Sequence, residues 1–307
     1  MKHCYQMDCP IDQAHDGELM RDYLKKEVRI SRRALSAIKY KGGQLLVNGQ
    51  VKTVRQPLKA GDLLSIIFPP EEPSDFLISE RRKLDIVYED QEVLVVNKPA
   101  GIPVIPSHQY PSGTLANYLL AYFEDEGLAS TVHIINRLDR NTSGLMLVAK
   151  HRFSHERFYK MQKKKEVHRC YLAFVGGNLE QESGTIDAPI GRREESAIER
   201  QVDWRTGKRS ITHFQVLQRY GDRTLVLVQL QTGRTHQIRV HFASIGHPLL
   251  GDDLYGGAMD RIDRQALHSF ELVFNHPFSG QAVHLHAAYP EDMRLLAADY
   301  PLNLGKL

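Results

Sequence analysis

The spacing of apolar and polar positions changes period several times along the chain. In GELMRDYLKKE, Leu19, Tyr23 and Leu24 fall at helical spacing, and SRRALSAIKYKGG repeats the pattern with Leu35 and Ile38. Ser31 stands where an N-cap belongs, and Gly42 where the second helix must stop. GQLLVNGQVK then alternates about Asn48-Gly49, the dipeptide of a tight hairpin. LKAGDLLSIIF adds another turn and strand. Residues 18–68 therefore predict two short helices followed by a small hairpin-rich sheet, after an N-terminal extension at 1–17.

PPEEPSDFLISERRK, residues 69–83, is dense in Pro and charge and reads as a linker. A longer body at 84–307 follows. DIVYEDQEVLVVNKPAG holds two strand-like runs, and TLANYLLAYFEDEG predicts an amphipathic helix from a Thr114 cap to Gly127. FSHERFYKMQKKK reads as a polar helix; VHRCYLAFVGG, HFQVLQRY and RTLVLVQLQ read as strands. Many strands with few helices predict an α+β fold with a mixed, largely antiparallel sheet rather than a regular βαβ series.

Composition is that of an ordinary globular protein: 42% hydrophobic and 25% charged over 307 residues. No apolar run is long enough for a membrane span, and the N-terminus lacks the apolar core of a secretion signal. Three cysteines, Cys4, Cys9 and Cys170, do not make a disulfide framework, so a cytoplasmic setting is expected. Charge is unevenly placed. Residues 18–68 carry eleven Lys and Arg against four Asp and Glu, a net +7, which leaves −4 for the rest of a chain of net charge +3. Arg29, Arg32, Arg33, Lys39 and Lys41 cluster on and around the second helix. Such a patch suits a polyanion, nucleic acid above all, although a solvated basic surface without a ligand would look the same.

Two stretches carry candidate chemistry. In HIINRLDRNTSGLMLVAK, two apolar runs are broken by NRLDRNTSG, which places Asp139 on a loop between buried elements. Arg137 and Arg140 flank it and would favour its ionised form or hold phosphate. In LQTGRTHQIRVHFASIGHPLLGDDLYG, Thr235 can cap a helix carrying Ile238, Phe242 and Ile245, and Arg239 near its start could reach a carboxylate on a distant loop. A third stretch places Tyr171 on a strand.

These stretches resemble the RluA family of pseudouridine synthases. VVNKPAGIPV, NRLDRNTSGL, HRCYLAFVGG, GRTHQIRVHFASIGHPLLGD and ALHSFELVFNHP match that family's signatures in order, over about residues 85–295. SRRALSAIKYKGGQLLVNGQVK with LKAGD resembles the S4 RNA-binding domain, which often accompanies it. The resemblance implies a pseudouridine synthase fold and a cofactor-free reaction on a flipped-out uridine. By the matches, Asp139 is the nucleophile, Arg239 its partner, Tyr171 the residue that stacks on the base and serves in proton transfer, and Arg137 the side chain that fills the vacated stack. Ile238 and Val240 would line the uracil pocket. Asn136 departs from the pattern, standing where the family has His.

The S4-like module favours ribosomal over transfer RNA as substrate, with no obligate protein partner and a monomer expected. The competing reading is an RNA-binding or ribosome-assembly factor without turnover. A metal enzyme is not expected. His236 and His241 are not on one helix face, His284 and His286 show no third ligand, and His3, Cys4 and Cys9 lack zinc-site spacing.

Overall fold

A computed structural model describes residues 3–196 and 198–297. Its N-terminal part comprises β1 (Gln6–Pro10), α1 (Met20–Lys26), α2 (Arg32–Tyr40), β2 (Gln44–Val47), β3 (Gln50–Val51) and β4 (Leu63–Ile67). The Ser31 hydroxyl accepts from the Ala34 N–H at 3.2 Å and caps α2. Asn48 and Gly49 have φ of 50° and 79°, the pair of positive angles that a type I′ hairpin requires. The sheet runs β1-β4-β2-β3, all antiparallel. Its outer strand comes from the segment read as an extension: β1 pairs with β4, Gln6 opposite Ile67. QMDCP alternates Gln6 and Asp8 with partly buried Met7 and Cys9, but it is short and ends in Pro, so it gives little strand signal alone. It closes an edge that β4 would otherwise leave unpaired.

The larger part begins with β5 (Ile86–Glu89), β6 (Val93–Lys98), α3 (Leu115–Asp125), β7 (His133–Ile134), β8 (Ser143–Ala149) and α4 (Arg152–Lys163). β9 (Val167–Gly176), β10 (Ser183–Asp187), β11 (Ile190–Arg192), β12 (Arg200–Val202), β13 (Ile211–Arg219) and β14 (Arg223–Leu230) follow. It ends with α5 (Gln237–Ser244), β15 (Leu267–Asn275), β16 (Ala282–His286) and α6 (Glu291–Leu295). The main sheet runs β10-β13-β14-β9-β15-β8-β6-β5, with β16 added on β15 and β7 on β8. Among the described residues only β8 and β15 pair in parallel, which makes the sheet mixed and largely antiparallel as expected.

That parallel junction explains the glycine of NTSG. Gly144 has φ +112°, and a Cβ there would lie 2.2 Å from the Ser269 carbonyl oxygen. Only glycine lets the two backbones meet. Gly144 thereby seats β8 against β15 immediately after the Asp139 loop.

α3 starts at Thr114 as read, with a capping box shared with Asn117. It is not amphipathic in its setting: residues 115–121 and Phe123 are all buried. The linker causes this. The Asn117 Nδ2 donates to the Ile78 carbonyl and the Glu80 N–H donates to that of Asn117, so residues 78–80 are bonded to the first turn of α3 on the side that would meet water. Glu71 is tied down too, accepting from the Arg152 N–H and lying 2.7 Å from His133 Nε2. The basic module shares a core with the body: Phe153 and Phe278 pack among its apolar residues, and Tyr5 stacks on His151 at 3.6 Å.

Candidate active site

Asp139 lies on the loop between β7 and β8, one quarter exposed, at a narrow cleft of about 60 Å³. Tyr171, Leu138, Leu267 and Leu230 give the cleft its apolar lining; Arg137, Arg234, His236 and Arg239 give it polarity. Tyr171 arrives on β9, paired across the sheet with Val228 and Ser269, and is buried. Arg137 is exposed at the rim. Ile238 lines the cleft but Val240 does not, although both are buried. Two steps along a helix is a turn of ~200°, so the two side chains leave on opposite sides.

Arg239 joins the loop to the helix, with a division of labour that the sequence did not reveal. Its Nε and Nη2 donate to the two carboxylate oxygens of Asp252, each at 2.7 Å. Its Nη1 alone reaches Asp139 Oδ2, at 3.4 Å. Asp252 is fully buried, so the bidentate pair is the strong one and fixes the guanidinium plane. Asp139 receives a weaker contact and keeps its other oxygen free of Arg239. Tyr255 lies beneath the guanidinium at 5.0 Å.

The helix does not start as read. His236, not Thr235, occupies the N-cap, in the left-handed region with φ 59° and ψ 18° and without a side-chain cap bond. The preceding turn is instead pinned by Gln237, whose Oε1 accepts from the Arg234 N–H and the Thr232 hydroxyl. The unusual backbone carries the His236 ring to 3.9 Å from Asp139 Oδ1, while its Nδ1 bonds the Tyr255 hydroxyl at 2.9 Å. Burial lowers the His236 pKa below the usual histidine value, which favours a neutral ring at pH 7.

Lys98, in the stretch NKPAG, also escaped the sequence reading. It is wholly buried and its Nζ donates to three carbonyls, of Pro99, Ile102 and Arg140, at 2.8, 3.0 and 2.9 Å. The last bond clamps the Asp139 loop from below. Burial draws its pKa down to about 7, with the Asp139 charge opposing. Arg140 turns away from Asp139 and donates to the Tyr110 hydroxyl. Asn136 is buried, and its Oδ1 accepts from the Leu147 N–H at 2.8 Å, bracing the loop backbone.

The five basic residues of the N-terminal part, Arg29, Arg32, Arg33, Lys39 and Lys41, are all exposed. Among the described residues none of them is within ion-pair distance of a carboxylate. They stand far along the chain from the cleft, and the fold does not bring them into it.

A family model described as RNA pseudouridylate synthase matches residues 92–244, the span that holds Lys98, Asp139, Tyr171 and Arg239. An "Uncharacterized RNA pseudouridine synthase YjbO" of Bacillus subtilis is 50% identical over 270 residues, 88% of this chain and 95% of that protein. The chain belongs to the RNA pseudouridylate synthase family. It is of the RluA type that its motifs resemble. The Pseudomonas aeruginosa ribosomal large subunit pseudouridine synthase D is 38% identical over 270 residues, 82% of each chain. The solved structure of human RNA pseudouridylate synthase domain containing 1 aligns with a TM-score of 0.57 at 30% identity, over 72% of this chain and 87% of that one. As a pseudouridine synthase, the protein is an isomerase that converts uridine in RNA to its C5-linked isomer. A binding factor without turnover is therefore not favoured. No helix among the described residues is long and apolar enough to cross a membrane.

Proposed function

We propose that the protein pseudouridylates ribosomal RNA, with Asp139 as the nucleophile. The observation that carries this is the half-satisfied carboxylate: Asp139 faces the cleft with one contact at 3.4 Å from an arginine whose Nε and Nη2 are engaged by buried Asp252. Such an arginine keeps Asp139 aimed into the cleft without engaging it in a tight bidentate pair. A carboxylate so placed can form a covalent intermediate while the N1 bond to the sugar breaks. Rejoining at C5 then releases the C5 proton. Tyr171 stacks on the base and serves the proton transfer, and Ile238 closes the pocket beside it.

Exposed Arg137 stands at the rim of the cleft, placed to fill the stack that the flipped base leaves. The uncompensated cations of α2 and its flanks hold the phosphates of folded RNA. The ribosomal substrate is favoured by the S4-like module and by the name of the Pseudomonas relative. We read the protein as a cytoplasmic monomer that needs no cofactor.

The test uses large-subunit ribosomal RNA carrying tritium at uridine C5, from which turnover frees tritium to water. The wild-type protein is expected to release it and Asp139→Asn to release none while melting as the wild type does. Release by Asp139→Asn at the wild-type rate would overturn the assignment.

A further inference from the structure

The β15–β16 strand pair brings together three donors that the reaction does not use. Glu271 on β15 lies directly opposite His286 on β16, and His284, two residues earlier, shares that face. Both imidazole Nε2 atoms converge on one oxygen, Glu271 Oε1, at 2.6 Å from His284 and 3.2 Å from His286. The three ligand atoms all lie within 4.8 Å of one another. Both histidine side chains are about half exposed, at 55% and 44%, so an ion could reach them. The sequence showed the two histidines but not the third donor, because Glu271 is thirteen residues upstream and meets them only through strand register.

We propose that Glu271, His284 and His286 form a binding site for a zinc-class transition-metal ion. Two imidazoles and a carboxylate suit zinc, which binds such nitrogens at ~2.0–2.1 Å and such oxygens at ~2.0–2.2 Å and leaves a fourth position for water. Magnesium and calcium prefer all-oxygen sets and are discriminated against. The ligands stand on adjacent strands, a frame stiffer than a loop. Glu271 stands opposite buried Cys170 in the β15–β9 register, and Cys170 Sγ accepts from Gln229 Nε2 at 3.3 Å. A bound ion would staple β16 to β15 on the outer face of the sheet, where Cys170 precedes Tyr171 on the neighbouring strand β9.

A second cluster, Asp90, Glu92 and His276, is already committed. Asp90 accepts from the Glu92 and Val93 N–H groups and the Tyr88 hydroxyl, and the Glu92 carboxylate accepts from Tyr5.

The test is zinc uptake by the full chain, stripped with chelator, exchanged into zinc chloride and measured by elemental analysis after gel filtration. A competition titration gives the affinity, and hydrogen exchange reports on residues 271–286. The wild type is expected to bind one zinc, to gain protection across both strands, and to be indifferent to magnesium. His284→Ala combined with His286→Ala, and separately Glu271→Gln, should each weaken binding at least tenfold, since even the loss of an outer-shell partner of a metal site typically costs about 10–100-fold. The histidines are about half exposed and Glu271→Gln keeps the side chain's shape, so the fold and pseudouridine formation should survive. Equal zinc affinity in the variants, or no zinc bound by the wild type, would overturn the proposal.

Discussion

Asp252→Asn is the most informative perturbation of the site, because it touches no substrate. Asp252 is fully buried and holds Arg239 through two bonds of 2.7 Å. Asparagine keeps the shape but loses the charge and turns one acceptor into a donor aimed at a guanidinium. Removing one partner of a buried pair usually costs about 3–5 kcal/mol. Here Asp139, already 3.4 Å from Arg239, takes up part of the charge, so the low end of about 3 kcal/mol is expected. At about 2–4 °C per kcal/mol for a domain of this size, melting should fall by about 6–12 °C. The compensation has a catalytic consequence. Arg239, freed at two nitrogens, closes on Asp139 and turns a weak contact into a tight pair that blunts the nucleophile. A hundredfold fall in single-turnover tritium release corresponds to about 2.7 kcal/mol at 1.36 kcal/mol per decade. RNA affinity should stay within about twofold of the wild type. A variant that melts within 1 °C of the wild type and turns over at its rate would refute the role given to Asp252.

Three further outcomes follow from other parts of the molecule. Gly144→Ala forces a Cβ to 2.2 Å from the Ser269 carbonyl at a φ of +112°, so urea denaturation should show a loss of about 3 kcal/mol or the variant should fail to accumulate. His151 and His268 are buried with pKa values lowered to about 3 and about 4, chiefly by burial. The unfolded chain binds these protons near 6.5 while the fold does not, so stability is lost as pH falls below about 6.5, by about 1.4 kcal/mol per pH unit for each histidine. His151→Asn, which keeps an acceptor for the Ser154 N–H, should flatten that slope between pH 6 and 5 in chemical denaturation; an unchanged slope would exclude His151 as a cause. Arg32→Glu with Arg33→Glu should weaken RNA binding and make its logarithmic salt dependence shallower by about one to two per pair of lost contacts, while melting stays put. Charge reversal is preferable to deleting residues 1–70, because the shared core would leave Phe153 and Phe278 bare.

The sequence disclosed the elements whose signals are local. The Ser31 and Thr114 caps, the Asn48-Gly49 hairpin and strands β9, β13 and β14 are each written within a dozen residues. What it concealed depends on register or on distant partners. β1 is short and ends in Pro, and it is recognised as a strand only through its pairing with β4 and the packing of Met7 and Cys9. α3 reads as half-exposed until residues 78–80 are bonded to its first turn. Within the site, Asp139, Tyr171 and Arg239 stood out by motif. Asp252 and Lys98 looked like parts of loops, because their roles come from burial: a buried carboxylate or ammonium must be paired or bonded, and that condition is invisible in the chain. His236 as N-cap was hidden for the same reason, since Gln237 rather than a Thr235 cap secures the turn.

The central claim is that Asp139 makes this protein a ribosomal RNA pseudouridine synthase. Pseudouridine mapping of ribosomal RNA tests it most directly, in a strain lacking the protein and complemented with the wild type or with Asp139→Asn. The expected result is at least one site that vanishes in the deletion, returns with the wild type and stays absent with Asp139→Asn. A full set of sites in the deletion strain, or restoration by Asp139→Asn, would contradict the account.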